Sequence, residues 1–525
     1  MSRLDEAKQA KIAKRRALEA AGVSVHPYCY QKTHTVAQAL ALLGSGELVR
    51  TAGRIVSLRS QGKVTFLNLT EETGSIQVML HLDRLGENFY AQVNKLDPGD
   101  FLGIEGLVEA TRTGETTVMA EKITVLGKAL RPLPTAWNAA EDKEVRFRQR
   151  YLDLLVNQRA NYLIRSRFTI LKELRAYLQD KVGYTEVDTP VLQTLYGGTN
   201  ARPFTTHMNA LNHDFYLRVA PELYLKRLIV GGFEKIFEVA KNFRNEGIDQ
   251  THQPEFTMVE WYEAYADYRR MMEVAEGLIK HLNRVVNQSD KLMVGDRELE
   301  LEKSWAVYSM YEALEKFAGI KVAENSDENL QELLDRHELK LIGAFGRGKA
   351  IFALFDKLVC GQLIEPTWII DYPKEVSPLA KQHRDNPDLV ERYELYIGGK
   401  EICDGWSEIT DPLDQRERFE NEQQKMRDGD DEAQPLDEEF LAAMEYGLPP
   451  LGGLGMGIDR LVMLLTNEWS IREVIAFPTL RPVAETAEAV AEIMDKQAID
   501  DLVQPVTRPN SGDGKVAFNM VDENH

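Results

Sequence analysis

One strand–loop–strand segment carries side chains that could bind a nucleotide beside a cationic group. An arginine and a glutamate stand two residues apart at the end of the incoming strand. Three further residues share one face of the outgoing strand, because side chains alternate along a strand. Arginine suits a phosphate, and an aromatic ring or a carboxylate suits a base or a cation, although a solvated charged hairpin has the same pattern. The residues concerned are Arg244, Glu246, Phe256, Glu260 and Tyr262.

A glycine-rich run later in the chain supplies a second arginine. GGLGMGIDRLVMLL (452–465) predicts a glycine-rich turn that leads into an apolar helix, with Arg460 near the helix start. Glycines let a ligand approach the backbone closely, although packing explains many such turns. The sequence has neither a Walker lysine nor a dinucleotide-binding fingerprint. Arg244 and Arg460 are therefore candidates to clamp one polyphosphate.

A second hairpin, ELYIGGKEICDGWSE (394–408), brings two carboxylates to one face. With a turn at its two glycines, Tyr396 pairs with Glu401 and Glu394 pairs with Cys403. Mg²⁺ takes one or two carboxylates together with phosphate oxygens, which fits Glu394 and Glu401. An exposed charged hairpin is the alternative.

The same hairpin needs an irregularity to place its last residues. Past Glu401, strict alternation would turn Asp404, Trp406 and Glu408 away from the carboxylate face. We predict a β-bulge near Gly405 that brings them back.

Three glutamates could form an acidic pocket. Glu222 follows Pro221 at a predicted helix start, where helix capping is the other explanation. Glu222, Glu260 and Glu408 have no obvious lysine or arginine partner nearby in the sequence. An uncompensated acidic pocket would attract a cationic substrate.

These residues belong to a chain of 525 residues, which is long enough for two to four domains. With 43% hydrophobic and 28% charged residues, its composition is typical of globular proteins. No apolar run approaches the roughly 20 residues of a membrane span, and the N-terminus lacks a signal core. Three scattered cysteines predict reduced thiols in a cytoplasmic protein, without a zinc site.

The N-terminal third could face nucleic acid although the net charge is −20. Residues 1–150 contain 21 Lys and Arg against 17 Asp and Glu. Five short alternating segments between residues 50 and 128 predict a small β-barrel. Phe66 and Gln77 lie on adjacent strands and could stack on a base and bind its edge. A lone phenylalanine is more often part of a core.

Several runs resemble the signature motifs of class II aminoacyl-tRNA synthetases, namely GYTEVDTPVL, FRNEG…PEFTMVEW and GLGMGIDR. GGTNARPF, APELYLKRLIVGGFEKIFEVAKNFRNEG and EFTMVEWYEAYADY are similar to the bacterial-type lysyl-tRNA synthetases of that family. The resemblance extends from about residue 50 to 482. It implies an α+β fold, with an N-terminal OB-fold that binds the anticodon and a catalytic domain whose antiparallel sheet of six to seven strands is flanked by helices.

The resemblance also sets the predicted domain organisation. The expected ranges are a helical extension over 1–49, the OB-fold over 50–128, a linker over 129–150, the catalytic domain over 151–487 with a helical insertion at about 268–345, and a C-terminal helix and tail over 488–525. No role is assigned to the residues after Pro482. A homodimer formed partly through the motif around Pro190 is implied as well.

The implied reaction is that of a lysine–tRNA ligase. ATP activates L-lysine as lysyl-adenylate, and the lysyl group then passes to the 3′-terminal adenosine of tRNA(Lys). Such chemistry depends on positioning and on charge stabilisation. This agrees with the absence of a Ser-His-Asp or Cys-His arrangement in the sequence.

The resemblance implies a role for each candidate residue at the nucleotide. Arg244 would hold the α-phosphate, Arg460 the γ-phosphate and His252 the polyphosphate, while Phe256 would stack on adenine. Glu246 would meet the adenine edge or the tRNA end. The expected Mg²⁺ ligands are Glu394 and Glu401, the latter also beside ATP.

It likewise implies the lysine site. Glu222 and Gly198 would hold the α-amino end, and Glu260, Tyr262 and Glu408 the side-chain ammonium. Many relatives have Asn and Phe where this chain has Asp404 and Trp406. An ionised Asp404 accepts hydrogen bonds without donating them, and it could add a fourth acid.

On the barrel, Phe66 and Gln77 match positions that contact the anticodon in relatives, and Arg54, on the same barrel, is a third candidate for that contact. The barrel strand near Lys122 often carries an acidic residue in relatives, and Glu121 is a candidate to replace it. Three alternatives stay open: a paralogue that attaches lysine to a protein, which would lack the barrel; an aspartate- or asparagine-specific synthetase, which would need a basic pocket; and a non-catalytic RNA-binding protein. The last would be expected to lose Arg244, Glu401 or Arg460.

Overall fold

A computed structural model describes residues 3–133, 143–341, 345–427 and 434–481. They fall into two compact units, the first within Met1–Asn138 and Arg481–His525 and the second within Ala139–Leu480. Within these described ranges, no helix is both long and apolar enough to span a membrane. The C-terminal helix and tail predicted for 488–525 lie outside the described residues, as does part of the predicted linker.

The first unit is built on a closed five-stranded barrel with strand order β1-β2-β3-β5-β4, which confirms the predicted barrel. Strand alternation explains it, because residues such as Leu67, Leu69, Ile76 and Val78 point inward and are buried. The elements are α1 (Arg3–Ala20), α2 (Val36–Ala41), β1 (Leu48–Gln61), β2 (Val64–Glu71), β3 (Gly74–His81), α3 (Leu82–Leu85), α4 (Glu87–Val93), β4 (Phe101–Ala110) and β5 (Thr116–Gly127).

The second unit is an α+β domain. Its helices are α5 (Lys143–Arg148), α6 (Arg150–Val156), α7 (Gln158–Ala176), α8 (Glu222–Val230), α9 (Tyr268–Asn287), α10 (Met310–Ala313), α11 (Asp327–Arg336), α12 (Arg347–Leu358), α13 (Pro412–Arg427), α14 (Glu438–Glu445), α15 (Ile458–Leu465) and α16 (Ile471–Val474). Its strands are β6 (Thr185–Glu186), β7 (Leu192–Gln193), β8 (Phe204–Met208), β9 (His213–Leu217), β10 (Lys235–Phe243), β11 (Glu255–Ala264), β12 (Lys291–Val294), β13 (Arg297–Glu300), β14 (Ala306–Ser309), β15 (Thr367–Pro373), β16 (Leu389–Ile397), β17 (Lys400–Ser407) and β18 (Leu451–Gly457). Short π-helical turns cover Tyr177–Val182 and Leu314–Ala318, and 3-10 turns cover Val322–Glu324, Cys360–Gln362 and Lys374–Val376.

The main sheet has eight strands in the order β14-β15-β16-β17-β18-β11-β10-β6. The six strands from β15 to β10 are antiparallel neighbours, whereas the edge strands β14 and β6 pair in parallel. The six antiparallel strands confirm the implied sheet, and the two parallel edge strands extend it to eight. Helices α7, α9 and α15 pack on one side through a large apolar core that includes Trp261 and Phe237.

Three local predictions differ from the structure. Residues Ala160–Lys181, whose apolar spacing predicts one helix, form most of α7 followed by a π-helical turn, which ends where Gly183 adopts a left-handed conformation. The stretch 268–345 is not wholly helical, because β12, β13 and β14 follow α9 and β14 joins the main sheet. The glycine-rich run starts as strand β18 rather than as a turn.

Candidate active site

The main sheet carries a cavity of about 310 Å³ in the second unit. It brings together residues that are more than 200 positions apart in the sequence. Of the predicted site residues, the wall includes Gly198, Glu222, Arg244, Glu246, His252, Phe256, Glu260, Tyr262, Glu401, Asp404, Trp406, Glu408 and Arg460. Glu394 is the one predicted residue of this site that does not line the cavity.

The floor of the cavity is strand β18, which lies between β11 and β17. Gly453 pairs with Tyr262 on one side and with Trp406 on the other. A Cβ at Gly453 would overlap Glu408 Oε1 and the Tyr262 ring. The absence of a side chain at Gly453 therefore makes room for the functional groups of the neighbouring strands.

Strand β17 contains the predicted bulge, but at another position. Tyr396 pairs with Glu401 as predicted, whereas Glu394 pairs with Asp404 rather than with Cys403. The extra residue is thus at Ile402, three residues before the predicted Gly405. It restores Asp404 and the later residues to the cavity face, because one extra residue shifts the alternation by one.

The acidic end of the cavity consists of Glu222, Glu260 and Glu408. Glu222 is the first residue of α8, as predicted, Glu260 lies in β11, and Glu408 directly follows β17. All three are buried, with relative exposures of 3%, 4% and 1%. Phe256, Glu260 and Tyr262 line the cavity from one face of β11, as the alternation predicts.

The expectation that these glutamates lack a basic partner is wrong. Lys226 Nζ lies 2.5 Å from Glu222 Oε1 and 2.5 Å from Glu408 Oε2. Burial disfavours the ammonium, but the two carboxylates outweigh it and raise the pKa of Lys226. The helical spacing of four between Glu222 and Lys226 is a signal that sequence reasoning missed.

Glu260 has no ion pair in the part of the chain that the structure describes, and it accepts a hydrogen bond of 3.1 Å from the Tyr262 hydroxyl. Burial, followed by the neighbouring charge of Glu222, raises the pKa of Glu260 to about 8. Burial also raises the pKa of Glu408 to about 8, with Lys226 opposing the shift. The acidic end therefore favours a ligand that brings positive charge.

Asp404 is not a free fourth acid. Arg392, which sequence reasoning did not single out, donates to both of its oxygens at 3.0 and 2.9 Å and also donates to Glu394 Oε1 at 2.7 Å. Burial raises the pKa of Asp404 to about 6, with Arg392 opposing the shift. Trp406 contacts the acidic end instead, because its Nε1 donates a hydrogen bond of 2.7 Å to Glu408 Oε2.

The opposite side of the cavity, which we term the arginine end, consists of Arg244, His252, Phe256 and Arg460. The Arg244 guanidinium lies over the Phe256 ring, 5.0 Å from its centroid. Its Nε is buried without a hydrogen-bond partner, and within the described ranges Arg244 forms no salt bridge. A half-buried guanidinium that lines a cavity without a salt bridge suits an anionic ligand.

Arg460 and His252 are close neighbours at the arginine end. Arg460 Nη2 lies 3.3 Å from His252 Nε2, and Arg460 Nη1 donates to Glu401 Oε2 at 3.1 Å. His252 Nδ1 lies 2.8 Å from Asp249 Oδ2, which fixes the ring orientation.

Two residues near the arginine end, Arg244 and Glu246, differ from prediction in their position. Strand β10 ends at Phe243, so Arg244 and Glu246 stand in the following loop rather than on the strand. Arg244 is held there by a backbone hydrogen bond of 2.9 Å to Pro254 O, whereas Glu246 is exposed on the cavity wall.

Glu394 and Glu401 carry carboxylate oxygens of the kind that Mg²⁺ accepts, although both oxygens of Glu394 accept hydrogen bonds, one from Arg392 and the other from Tyr396. Burial, with repulsion from Asp404 and Glu401 added to it, raises the pKa of Glu394 to about 8 against the opposing charge of Arg392. A divalent cation would relieve that repulsion, so the donor chemistry fits. Among the described residues, no group of three or more His, Cys, Asp or Glu side chains could hold a metal ion. The pair would therefore depend on ligand phosphates to complete coordination.

Gly198 lies at the acidic end with φ +91, a conformation that favours glycine. Its N–H donates to Gln434 Oε1 at 3.0 Å, and a Cβ there would lie 3.0 Å from Glu222 Cβ. The backbone thus approaches Glu222 more closely than another residue would allow.

In the first unit, the predicted anticodon residues share the outer face of three adjacent strands. Phe66 pairs with Met79 and Asn68 pairs with Gln77, so Phe66 and Gln77 are diagonal neighbours. Both are half-buried, and Gln77 Oε1 accepts from Thr117 at 2.8 Å. Arg54 lies 4.3 Å from the centroid of the Phe101 ring.

Glu121, the candidate anticodon contact near Lys122, lies where β4 and β5 of the first unit shift register. Lys122 forms a salt bridge of 3.4 Å with Glu105.

Comparison with known proteins agrees with this geometry. Residues 142–481 match the family model described as tRNA synthetases class II (D, K and N), and residues 49–126 match the model of the OB-fold nucleic acid binding domain. A lysine–tRNA ligase of Fervidobacterium nodosum is 44% identical over 487 residues, covering 91% of this chain and 95% of that protein. Those of Thermosipho africanus and Carboxydothermus hydrogenoformans are 42% and 44% identical, with coverage of 92% and 91% of this chain and 97% and 99% of theirs.

The family match spans the strands that carry both ends of the cavity, and the second match spans the closed barrel. The chain therefore belongs to the class II aminoacyl-tRNA synthetases of the aspartate, lysine and asparagine group, with an OB-fold domain preceding the synthetase domain.

Proposed function

We propose that the chain is a lysine–tRNA ligase. In the first step a carboxylate oxygen of L-lysine attacks the α-phosphorus of ATP, the bond to the bridging oxygen breaks, and lysyl-adenylate and diphosphate form. In the second step a hydroxyl of the 3′-terminal adenosine of tRNA(Lys) attacks the lysyl carbonyl and AMP leaves. Lysine–tRNA ligases are what the similar proteins are named.

The observation that carries the proposal is the charge of the acidic end. Three buried glutamates face the cavity with a single internal ammonium among them. Aspartate and asparagine, the other substrates in the family description, bring no side-chain cation to such a site. A ligand with two ammonium groups would neutralise the acidic end, and lysine has both.

At the arginine end, the chain's residues would stabilise charge on ATP. Arg244 would neutralise the negative charge that develops on the α-phosphate oxygens, because its Nε has no hydrogen-bond partner and its guanidinium forms no salt bridge with the described residues. Arg460 and His252 would hold the terminal phosphates, Phe256 would stack on adenine, and Glu246 would meet the adenine edge. When bound, Mg²⁺ would neutralise phosphate charge, with Glu401 and Glu394 as its protein ligands.

Lysine would lie between the two ends. Glu222 and Gly198 would hold its α-amino group, while Glu260, Glu408 and Tyr262 would hold the side-chain ammonium. Its carboxylate would then point toward Arg244, next to the α-phosphorus. Holding both reactants in this orientation is the main catalytic contribution.

The barrel would bind the anticodon of tRNA(Lys). Phe66 would stack on a base, Gln77 would read a base edge, and Arg54 would contact the backbone. The matched OB-fold domain disfavours a paralogue that lacks a barrel. Arg244, Glu401 and Arg460 are all present, which disfavours a non-catalytic relative.

A homodimer and a cytoplasmic location belong to the proposal. Phe168, Leu192 and Leu211 are apolar and 57%, 51% and 64% exposed, and Leu192 lies two residues after Pro190, where the resemblance implies the dimer contact. Light scattering should give about twice 59.7 kDa for the native chain and a lower mass for Leu192→Asp with Leu211→Asp. Cys29, Cys360 and Cys403 are unpaired, as expected in a reducing compartment.

The decisive experiment is amino-acid-dependent ATP–diphosphate exchange with each of the twenty amino acids. Exchange with lysine alone is the expected result. Exchange with aspartate or asparagine, or with no amino acid, would overturn the proposal. Transfer of labelled lysine to tRNA(Lys) would then test the second step.

A further inference from the structure

One buried lysine is tied to two of the three glutamates of the acidic end. Lys226 Nζ contacts Glu222 Oε1 and Glu408 Oε2, both at 2.5 Å. The three side chains have relative exposures of 1%, 4% and 1%, so solvent screens neither ion pair. Lys226 does not line the cavity, whereas both glutamates do.

The position of Lys226 leaves one oxygen of each glutamate available. Glu408 Oε2 is held by Lys226 and by Trp406 Nε1. Its Oε1 points toward Gly453, where there is no side chain to block it. In the described part of the chain, neither Glu408 Oε1 nor Glu222 Oε2 accepts a hydrogen bond from protein. Lys226 thus fixes the rotation of both carboxylates with a free oxygen on each.

The charges at the acidic end give a second argument. Glu222, Glu260 and Glu408 contribute three negative charges when ionised, and Lys226 contributes one positive charge. Asp404 adds little net charge because Arg392 holds both of its oxygens. Two negative charges are left, which equals the number of ammonium groups on lysine.

We propose that Lys226 is a positioning and specificity-determining residue, a permanent internal counter-ion that matches the acidic end to a substrate with two ammonium groups. The proposal rests on the lysine–tRNA ligase function. Without Lys226, a third buried carboxylate would face the two ammonium groups unpaired, and the two freed carboxylates could rotate. Lysine would bind less tightly, while the arginine end would be unaffected.

The test compares Lys226→Met with Lys128→Met in lysine-dependent ATP–diphosphate exchange. Lys128 is a matched control, because it is equally buried and contacts Asp97 and Asp100 at 2.5 and 2.7 Å in the barrel. We expect Lys226→Met to raise the KM for lysine about 10- to 100-fold and to leave the KM for ATP within about threefold. Lys128→Met should change neither KM. Equal changes in both KM values, or an unchanged lysine KM, would overturn the proposal.

A chemical rescue separates charge from volume. In Lys226→Ala, n-propylammonium should lower the lysine KM, whereas 1-propanol, which has a similar shape and no charge, should not. In the native enzyme, n-propylammonium should only inhibit. Equal effects of the amine and the alcohol on the variant would assign Lys226 a packing role and overturn the proposal.

A crystal of the native enzyme with lysine tests the proposal without any variant. Lys226 Nζ should stay between Glu222 and Glu408, with the nitrogens of the substrate at the free oxygens of the acidic end. Displacement of Lys226 by the substrate would contradict it. If the native enzyme shows no lysine-dependent exchange, the proposed function fails; if it does and Lys226→Met has a native lysine KM, only this inference fails.

Discussion

The two ends of the cavity are organised differently. Glu222 and Glu260 of the acidic end stand on α8 and β11, and the three carboxylates are buried and held by Lys226, Tyr262 and Trp406. At the arginine end, Arg244 and His252 stand in the loop between β10 and β11, and the side chain of His252 is 53% exposed. Regular elements thus carry most of the acidic end, where charge would be recognised, whereas the arginine end combines this loop with Phe256 on β11 and Arg460 on α15, where a polyphosphate would bind.

Selectivity between amino acids should therefore depend on the acidic end, and the rate of the chemical step on the arginine end. A prearranged buried charge discriminates between amino acids because leaving it unpaired is costly. An unpaired arginine in a loop contributes most when phosphate charge develops. Variants at the acidic end should therefore change the KM for lysine, and variants at the arginine end should change kcat.

The largest effect is expected for Arg244→Met, which removes the unpaired guanidinium of the arginine end. The kcat of ATP–diphosphate exchange should fall by about 10²–10³, because the variant loses charge stabilisation of the transition state. The KM for lysine should change by less than about fivefold. A comparable rise in lysine KM would show that the two ends are not separable.

Glu260→Gln should break the acidic end alone. We expect the KM for lysine to rise roughly 100-fold, because one ammonium group loses a buried partner. The KM for ATP should stay within about threefold of the native value, as measured by exchange at saturating concentrations of the other substrate. Equal effects on both substrates would mean that the ammonium binds elsewhere.

Glu401→Gln tests the proposed Mg²⁺ ligand that contacts Arg460 of the arginine end. The Mg²⁺ concentration that gives half-maximal exchange should rise about tenfold, since a charged oxygen ligand is lost. Glu375→Gln, outside the cavity wall, is the matched control and should keep the native Mg²⁺ requirement.

The KM for lysine should depend on pH through the ionisation of Glu260. The pKa of Glu260 is raised to about 8, so its carboxyl group is protonated below that pH and must lose a proton before it can pair with an ammonium group. The KM for lysine should therefore fall roughly tenfold as the pH rises from 6.5 to 8. Glu260→Gln should flatten this dependence. A native KM for lysine that is constant over this range would contradict the assignment.

The smallest effect is expected for Asp404→Asn. Arg392 already pairs with both oxygens of Asp404, so the KM for lysine should change less than about threefold. A large rise would restore Asp404 as a fourth acid of the pocket.

Strand periodicity predicted much of the fold and the site. The alternation of apolar and polar residues in the sequence predicted the five barrel strands and the shared face of Phe256, Glu260 and Tyr262. These features depend only on residues that are close together in the sequence. The motif resemblance supplied residues that periodicity alone could not connect, such as Gly198 and Arg460.

What the sequence could not give depends on contacts between distant segments. The bulge position is set by how β17 pairs with β16 and β18 at once, so it was placed three residues too late. Lys226 is bridged to Glu408 across 182 positions, and Arg392 is bridged to Asp404 across strands. The glycines of β18 predicted a turn, although they lie in a strand. A side chain at Gly453 would overlap Tyr262 of β11 and Glu408, which follows β17.

The bulge at Ile402 also separates two changes that look alike in a sequence. If β17 kept all of its residues but paired without the bulge, it would present Cys403, Gly405 and Ser407 to the cavity in place of its charged and aromatic side chains. A deletion of Ile402 would instead remove the extra residue and leave Asp404, Trp406 and Glu408 on the cavity face, whereas a deletion elsewhere in the strand would change its parity. In this part of the chain, strand parity decides which side chains reach the cavity.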